Sequence, residues 1–278
     1  MTPSLRTLLP LVLSALVVAG CQSNRPREDL AYVERPAETI YGEAFQSMDR
    51  NQYRQAAAQF DEVERQHPYS EWARRSMLMA AFANYQSRNY EEAISDAERF
   101  ISLHPGNRNA AYAYYLVAIC YFEQIMDVGR DQAATQQALN ALEQVVRRFP
   151  DSRYATDARL KIDMTRDHLA GKEMSVGRWY LRRNYHLAAI NRFQNVVRDY
   201  GTTTHVPEAL HRLVESYVAL GVDDEARQVA AVLGHNFPGS DWYQDSYDLL
   251  TREGITLDEA VGRDDPSYFE RAWRRLFG

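Results

Sequence analysis

Along the body of the chain, apolar positions recur with a helical period, and the pattern repeats in five blocks. The blocks are "YRQAAAQFDEVERQHP", "YEEAISDAERFISLHP", "TQQALNALEQVVRRFP", "HLAAINRFQNVVRDYG" and "DDEARQVAAVLGHNFP", ending at Pro68, Pro105, Pro150, Gly201 and Pro238. Aligned on those ends, one column is always alanine: Ala56, Ala93, Ala138, Ala189 and Ala226. Four residues on come Phe60, Ala97, Leu142, Phe193 and Ala230, and three further on come Val63, Phe100, Val145, Val196 and Leu233. Offsets of four and three put these columns on one face of a helix. The alanine lets a neighbouring helix approach closely, the larger residues fill the space beside it, and the proline ends the helix. Each block is therefore predicted to be an amphipathic helix that buries one stripe.

A second set of small residues, Ala44, Ala81 and Ala118, marks a partner helix ahead of the first three blocks. The spacing of alanine, apolar residue and terminal proline resembles the second helix of a tetratricopeptide repeat. The fold class predicted is all-α: a superhelical solenoid of about five tetratricopeptide-like helix pairs over residues 38–250. A helix pair of this kind cannot bury its apolar face alone, so stacking supplies the core. Three intervals are longer than the family period. The segment "EQIMDVGRDQAA" is predicted to contain an extended loop, and "KEMSVGRWYLRRN" leaves room for an extra or lengthened helix.

The strongest apolar run lies at the other end of the pattern. Arg6 precedes an apolar stretch from Leu8 to Ala19 that is short for a membrane span and is followed by polar "QSNRPRED". Residues 1–20 are predicted to be a cleaved signal peptide. The run stops at "VAGC", which resembles the lipobox of bacterial lipoproteins; that resemblance implies cleavage before Cys21 and lipid on its sulfur and on the new amino terminus. Several acyl chains hold a protein at a membrane where one is marginal. Gln22 follows the cysteine and, by resemblance to lipoprotein sorting rules, favours the outer membrane. Residues 21–37 then form a flexible tether carrying Pro26 and Pro36.

Residues 251–278 are a C-terminal extension ending in "DDPSYFERAWRRLFG". Asp265 and Pro266 suit a helix start. Tyr268, Phe269, Ala272, Trp273 and Leu276 fall on one face of the amphipathic helix that follows. That helix is predicted to cover the last repeat, to dock another subunit or to lie in a membrane interface.

Composition narrows the function. The formal net charge of -6 lacks the basic excess of a nucleic-acid binder, and cleavage would remove Arg6 without removing an acid. Two cysteines, Cys21 and Cys120, do not make a disulfide framework, and Cys120 in "YYLVAICYF" reads as a buried, inert thiol. No HExxH, GxSxG or phosphate-cradling glycine loop is present. His67 and His104 precede repeat-ending prolines, where they favour a helix C-terminus rather than a metal. The acids of "VDDEA" suit a helix start. The expectation is a protein without catalytic residues, metal or cofactor.

The inward positions of the first three pairs carry large apolar side chains: Tyr41, Phe45 and Met48, then Leu78, Phe82 and Tyr85, then Tyr115, Ile119 and Phe122. Some must pack between helices; the rest are predicted to line a groove for an extended peptide with aromatic or aliphatic anchors.

The lipobox, the tether, "RPAETIYGEAFQSMDRNQYRQAAAQF", "HPYSEWA", five repeats and "DVGRDQ", taken together over roughly residues 21–245, resemble the BamD (ComL/YfiO) family of lipoproteins of the outer-membrane β-barrel assembly machine. The resemblance implies a non-catalytic scaffold, lipid-anchored on the periplasmic side of the outer membrane. Its implied partners are the periplasmic domains of the central barrel-assembly subunit, the C-terminal signals of unfolded outer-membrane protein precursors, and other assembly lipoproteins, with no nucleic acid. It places precursor binding on the N-terminal repeats and docking of the barrel subunit on the C-terminal ones, where Arg192 in "INRFQNVV" matches a family contact arginine. Gly201 in place of a proline and the tail beyond residue 250 depart from the family pattern. Two other readings stay open: a repeat lipoprotein scaffolding cell-wall synthesis, division or pilus assembly, and a wall-remodelling enzyme on a helical body.

Overall fold

Proline and serine set the corners of the molecule. In a computed structural model the chain is described over residues 34–256 and at Arg274. The expectations for Cys21 and its lipobox, and for the terminal helix from Asp265 to Leu276, lie outside the described residues. Eleven helices and no strand occur among the described residues. They are α1 (Ala37–Asp49), α2 (Tyr53–Gln66), α3 (Glu71–Gln86), α4 (Tyr90–Leu103), α5 (Ala110–Glu123), α6 (Ala133–Arg148), α7 (Arg153–Leu181), α8 (His186–Asp199), α9 (Val206–Ala219), α10 (Asp223–Asn236) and α11 (Asp241–Arg252).

Five antiparallel pairs, α1–α2 to α9–α10, stack in chain order, with α11 on the last. Each helix packs on its chain neighbours, and the first helices also touch along a row, α1 on α3, α3 on α5 and α5 on α7. This is the predicted all-helical solenoid of five tetratricopeptide-like pairs.

The residue before each repeat-ending proline cannot stay helical, because the proline ring crowds it. His67, His104, Phe149 and Phe237 sit accordingly at φ from -136° to -134° with ψ from 53° to 60°. Tyr200, before Gly201, takes nearly the same conformation at φ -128°, ψ 35°, so loss of that proline leaves the corner intact. At every corner the carbonyl of this residue accepts from the amide three positions on, at 3.0 Å. In three of them that position is a serine, Ser70, Ser152 or Ser240, whose side chain then caps the next helix. Within the pairs, the turns close at left-handed residues: Asn51, Arg88, Asn184 and Gly221 have φ between 59° and 69°. The paired amide-to-carbonyl bonds there, such as Asn89 to Asn84 and Arg88 to Tyr85, are Schellman stops.

The alanine column Ala56, Ala93, Ala138, Ala189 and Ala226 is fully buried, as are the column four residues on and, apart from Phe100 at 1% exposure, the column seven on. Ala44, Ala81 and Ala118 of the first helices are fully buried too. Cys120 lies in the same core, where burial and then Glu123 push its thiol up to about 12, so it stays protonated. The two irregular intervals resolve as expected. A loop over 124–132 joins α5 to α6 and is held by Lys172, which donates to the carbonyls of Gly129 and Arg130. The fourth pair begins with the 29-residue α7, a lengthened helix rather than an extra one.

Helix α11 has no counterpart among the five sequence blocks. It packs on α9 and α10, buries Ser246 and Leu250, and covers the edge that the fifth pair would otherwise leave open. Buried His211 of α9 bonds through Nδ1 to Ser246 Oγ at 2.8 Å, its ring 5.3 Å from Trp242. Burial, then the charge of Arg212, lowers the His211 pKa from its usual 6.5; Glu215, Asp245 and Glu208 act in the opposite direction. The neutral ring is thus the folded form, and the unfolded chain takes up the proton first. The stability His211 contributes is full above 6.5 and is lost as pH falls from there through the lower folded value. Measured against the intrinsic exchange rate, which itself falls with pH, acidification from pH 7 to pH 5 is expected to lower the hydrogen-exchange protection of α11 more than that of α1. In His211→Gln that acid-sensitive difference should shrink; an equal pH response in both proteins would rule His211 out as the titrating group.

Candidate peptide groove and docking face

The row of first helices places the predicted groove residues at different depths. Tyr41 of α1 packs edge-on against Phe60 and tilts against Trp72 of α3, with ring centroids 5.4 and 4.8 Å apart. Phe45 is 46% exposed, and Met48 is half-buried. Leu78 is 8% exposed and sits between helices with Met77, Phe100 and Ala113; Ile119 is 6% exposed. These two are core residues beneath the row, and they support it rather than form its surface. Phe82 and Tyr85 are half-buried and stack with centroids 6.5 Å apart, and Tyr85 leans on Tyr90 at 6.2 Å.

On α5, Tyr115 and Phe122 are half-buried and both reach toward α7. The Tyr115 hydroxyl donates to Asp157, and its ring packs on Tyr154 at 5.1 Å. Burial and that hydrogen bond raise the Tyr115 pKa, so the phenol stays a donor. Burial works to raise Asp157 as well, but the Tyr115 hydroxyl and Lys161 outweigh it and hold the carboxyl below its usual range. Lys161 bonds to Asp157 at 2.9 Å and lies 5.5 Å from the Phe122 ring centroid.

Trp72, Tyr112, Tyr154, Asp157 and Lys161 were not expected from the sequence at this face. Tyr112 and Tyr154 continue the aromatic row from α5 to α7, 5.5 Å apart. The signal was present in "RYATDARLK", but the length of α7 hides its repeat register.

Arg192 lies on α8, with 40% of its side chain exposed. Its Nη1 donates to both carboxylate oxygens of Glu173 on α7 at 3.3 Å, and Asn195 donates to the same Glu173 at 3.1 Å. Nearby, Arg178 and Glu208 form a two-bonded pair, at 2.8 and 2.6 Å, that ties α7 to α9. The groove residues and Arg192 are thus on separate parts of the solenoid: α1, α3 and α5 on one side of α7, and α8 beyond it.

Among the described residues, no group of three His, Cys, Asp or Glu side chains is placed to hold a metal ion, and no helix is long and apolar enough to cross a membrane. Half-buried aromatic side chains in a row on stacked helix pairs, with ion-paired arginines on the later helices, define a helical-repeat scaffold. The chain belongs to the YfiO family of outer membrane lipoproteins, whose model matches residues 33–233. Three relatives are each named outer membrane protein assembly factor BamD. The one from Caulobacter vibrioides is 57% identical over 244 residues, covering 88% of this chain and 80% of the relative. The one from Rickettsia prowazekii is 43% identical over 245 residues, covering 88% and 96%. The one from Neisseria meningitidis serogroup A is 32% identical over 248 residues, covering 85% and 93%. Solved tetratricopeptide structures align loosely: the P58(IPK) TPR domain is 13% identical at a TM-score of 0.41, covering 99% of this chain and 70% of that one. The repeat class therefore rests on the helix pairing and the buried alanine columns.

Proposed function

We propose that this protein is a lipid-anchored assembly factor for outer-membrane β-barrel proteins. The observation that supports it most is 57% identity, over 88% of the chain, to an outer membrane protein assembly factor BamD. In this reading Cys21 carries the lipid, and the tether holds the solenoid at the periplasmic face of the outer membrane. The aromatic row on α1, α3 and α5 receives C-terminal strand signals of unfolded precursors. The α7–α8 pair, with Arg192 at its surface, docks the periplasmic domains of the central barrel-assembly subunit. Other assembly lipoproteins join the same scaffold. No step needs a catalytic residue: apolar anchors hold an extended chain near the subunit that inserts it, which raises the local concentration of precursor at that subunit.

Two measurements test this reading. Phe82→Ala and Tyr85→Ala each remove a half-buried ring while leaving the buried alanine column of α3 in place. Truncating an anchor often costs more than about 1 kcal/mol, so each variant should bind peptides copied from barrel C-termini about fivefold or more weakly, with helicity kept. Wild-type affinity in both would remove this row from precursor binding. For the tether, Cys21→Ala should move the protein from the membrane to the soluble envelope fraction, because the remaining leader supplies no acyl chain. Retention at the membrane, with no lipid label on the wild type, would refute the anchor.

A further inference from the structure

The turn between α7 and α8 departs from the other turns of the solenoid. Two residues before the buried alanine of each block, the other four pairs carry Arg54, Glu91, Gln136 and Asp224, all polar, whereas this pair carries Leu187. Four residues before it stand Gln52, Asn89, Ala134 and Val222 elsewhere, and Tyr185 here. Leu187 is 70% exposed and Tyr185 58%, so the packing that the pairs share does not use them. Trp179, 43% exposed, extends the patch onto α7: its ring meets Tyr180 at 5.1 Å, and Tyr180 meets Tyr185 at 6.5 Å.

The same stretch carries cations and no acid. From Met174 to Arg198 the chain holds Arg178, Arg182, Arg183, Arg192 and Arg198 and no aspartate or glutamate, in a protein of formal net charge -6. Arg178, Arg192 and Arg198 are paired with Glu208, Glu173 and Asp199. Arg182 and Arg183 are both exposed and have no carboxylate partner among the described residues. Arg183 lies over the Trp179 ring, 3.9 Å from its centroid. Helices α4 and α10 start with acids, Glu91 and Glu92 in one and Asp223, Asp224 and Glu225 in the other, as a helix N-terminus favours. Helix α8 starts with His186, Leu187 and Ala188 and leaves that end positive.

We propose that the α7–α8 turn is a membrane contact of the solenoid itself: Trp179, Tyr185 and Leu187 enter the headgroup layer of an anionic phospholipid surface, and Arg182 and Arg183 take its phosphates. The inference is independent of the peptide groove. It draws on membership of a family of outer membrane lipoproteins, which puts the chain at a membrane. An acidic protein surface would answer the charge as well. The side chains radiate from a helix turn, however, and do not line a pocket, and an exposed leucine beside two aromatic rings and two arginines is the composition of an interfacial anchor. Arginine suits that depth because its stem lies along apolar surface while the guanidinium stays with the phosphates. Arg192 lies about two turns further along α8 than Tyr185, so the lipid contact is separate from the docking face described above.

The test uses the mature full-length chain reconstituted with an excess of vesicles of phosphatidylethanolamine and phosphatidylglycerol that carry brominated acyl chains. Bromine quenches tryptophan only at short range, so the difference between wild type and Trp179→Phe isolates Trp179 from Trp72, Trp242 and Trp273. At low salt wild type should be quenched more than Trp179→Phe. That excess should vanish in the double variant Arg182→Glu/Arg183→Glu, and should fall at least about threefold in Leu187→Gln and in vesicles of phosphatidylcholine alone. Circular dichroism should stay unchanged, because the three substituted side chains are exposed and the third block already has Gln136 at the Leu187 position. Flotation of the vesicles reads the acyl anchor separately: a chain that fails to float counts against Cys21, and Trp179 is still read at vesicle excess. Equal quenching of wild type and Trp179→Phe would overturn the lipid contact and hand the patch to an acidic protein surface. An excess that survives in the double variant would overturn a contact selected by charge.

Discussion

Gly177→Val is expected to lower the stability of the α7–α8 pair by about 2–3 kcal/mol, the upper part of the range of about 1–3 kcal/mol for forcing extra atoms into a packed core. A Cβ at Gly177 would lie 2.5 to 2.9 Å from three ring atoms of Phe193, and Phe193 is fully buried with no exposed side to turn toward. Helix propensity favours any residue over glycine by up to about 1 kcal/mol, so the clash has to exceed that gain before it is seen. Valine adds two further branches at the same point, and its stiff χ1 gives it no way round the ring. For a domain of this size the loss corresponds to a drop of about 4–12 °C in melting temperature. A stacked array need not melt as one unit, so the informative reading is local: amide exchange should quicken in α7 and α8 ahead of α1 and α2. Gly42→Ala in α1 is the matched control. Nothing lies within 4 Å of its Cβ position, and the substitution should stabilise by about 0.5–1 kcal/mol. Unchanged melting and unchanged exchange in Gly177→Val would mean that α7 and α8 do not cross at this glycine in solution.

The repeat columns were readable because each is a rule about spacing. An alanine at a fixed distance from a helix-ending proline has to face a neighbouring helix in every copy, and all five are fully buried. The long intervals were readable for the same reason, as insertions between fixed marks. Depth within the groove was not readable. Helix α5 is apolar on nearly every side, "AAYAYYLVAICYFE", so periodicity cannot separate Ile119, which is buried, from Phe122, which is half-exposed. The contribution of α7 was hidden by its length, because 29 residues without a corner offer no mark from which to count Asp157 and Lys161. Helix α11 was missed because only "PGS" announces it and no sixth block follows. The contact of Arg192 with Glu173 joins residues 19 apart on two helices, and only the crossing of α7 and α8 brings them together.

Arg192→Glu is expected to weaken association with the barrel-assembly subunit about a hundredfold at low salt while leaving the solenoid folded. The fold tolerates the change because the arginine is 40% exposed and its pairing with Glu173, at 3.3 Å, contributes at most about 1 kcal/mol in that setting. The proposed docking would not tolerate it. Both bonds to Glu173 leave from Nη1, so in the proposed docking the Nε and Nη2 donors of the guanidinium are left to bind a carboxylate of the partner with two parallel bonds. Reversal would remove those bonds and set a new carboxylate beside Glu173, so that a partner carboxylate at this position would meet two like charges. Losing one side of a buried, hydrogen-bonded charge pair at an interface costs about 2–5 kcal/mol, enough for the stated change in affinity. Glu173→Gln separates the roles: it releases Arg192 from its internal partner without removing the guanidinium, and binding should hold or tighten. Titration calorimetry of the mature chain against the subunit's periplasmic domains, at low and high salt, reads all three proteins. A dissociation constant for Arg192→Glu equal to wild type at low salt would take this arginine out of the interface. A loss for Glu173→Gln as large as that for Arg192→Glu would mean that the pair acts as a structural clip between α7 and α8 and not as a docking contact.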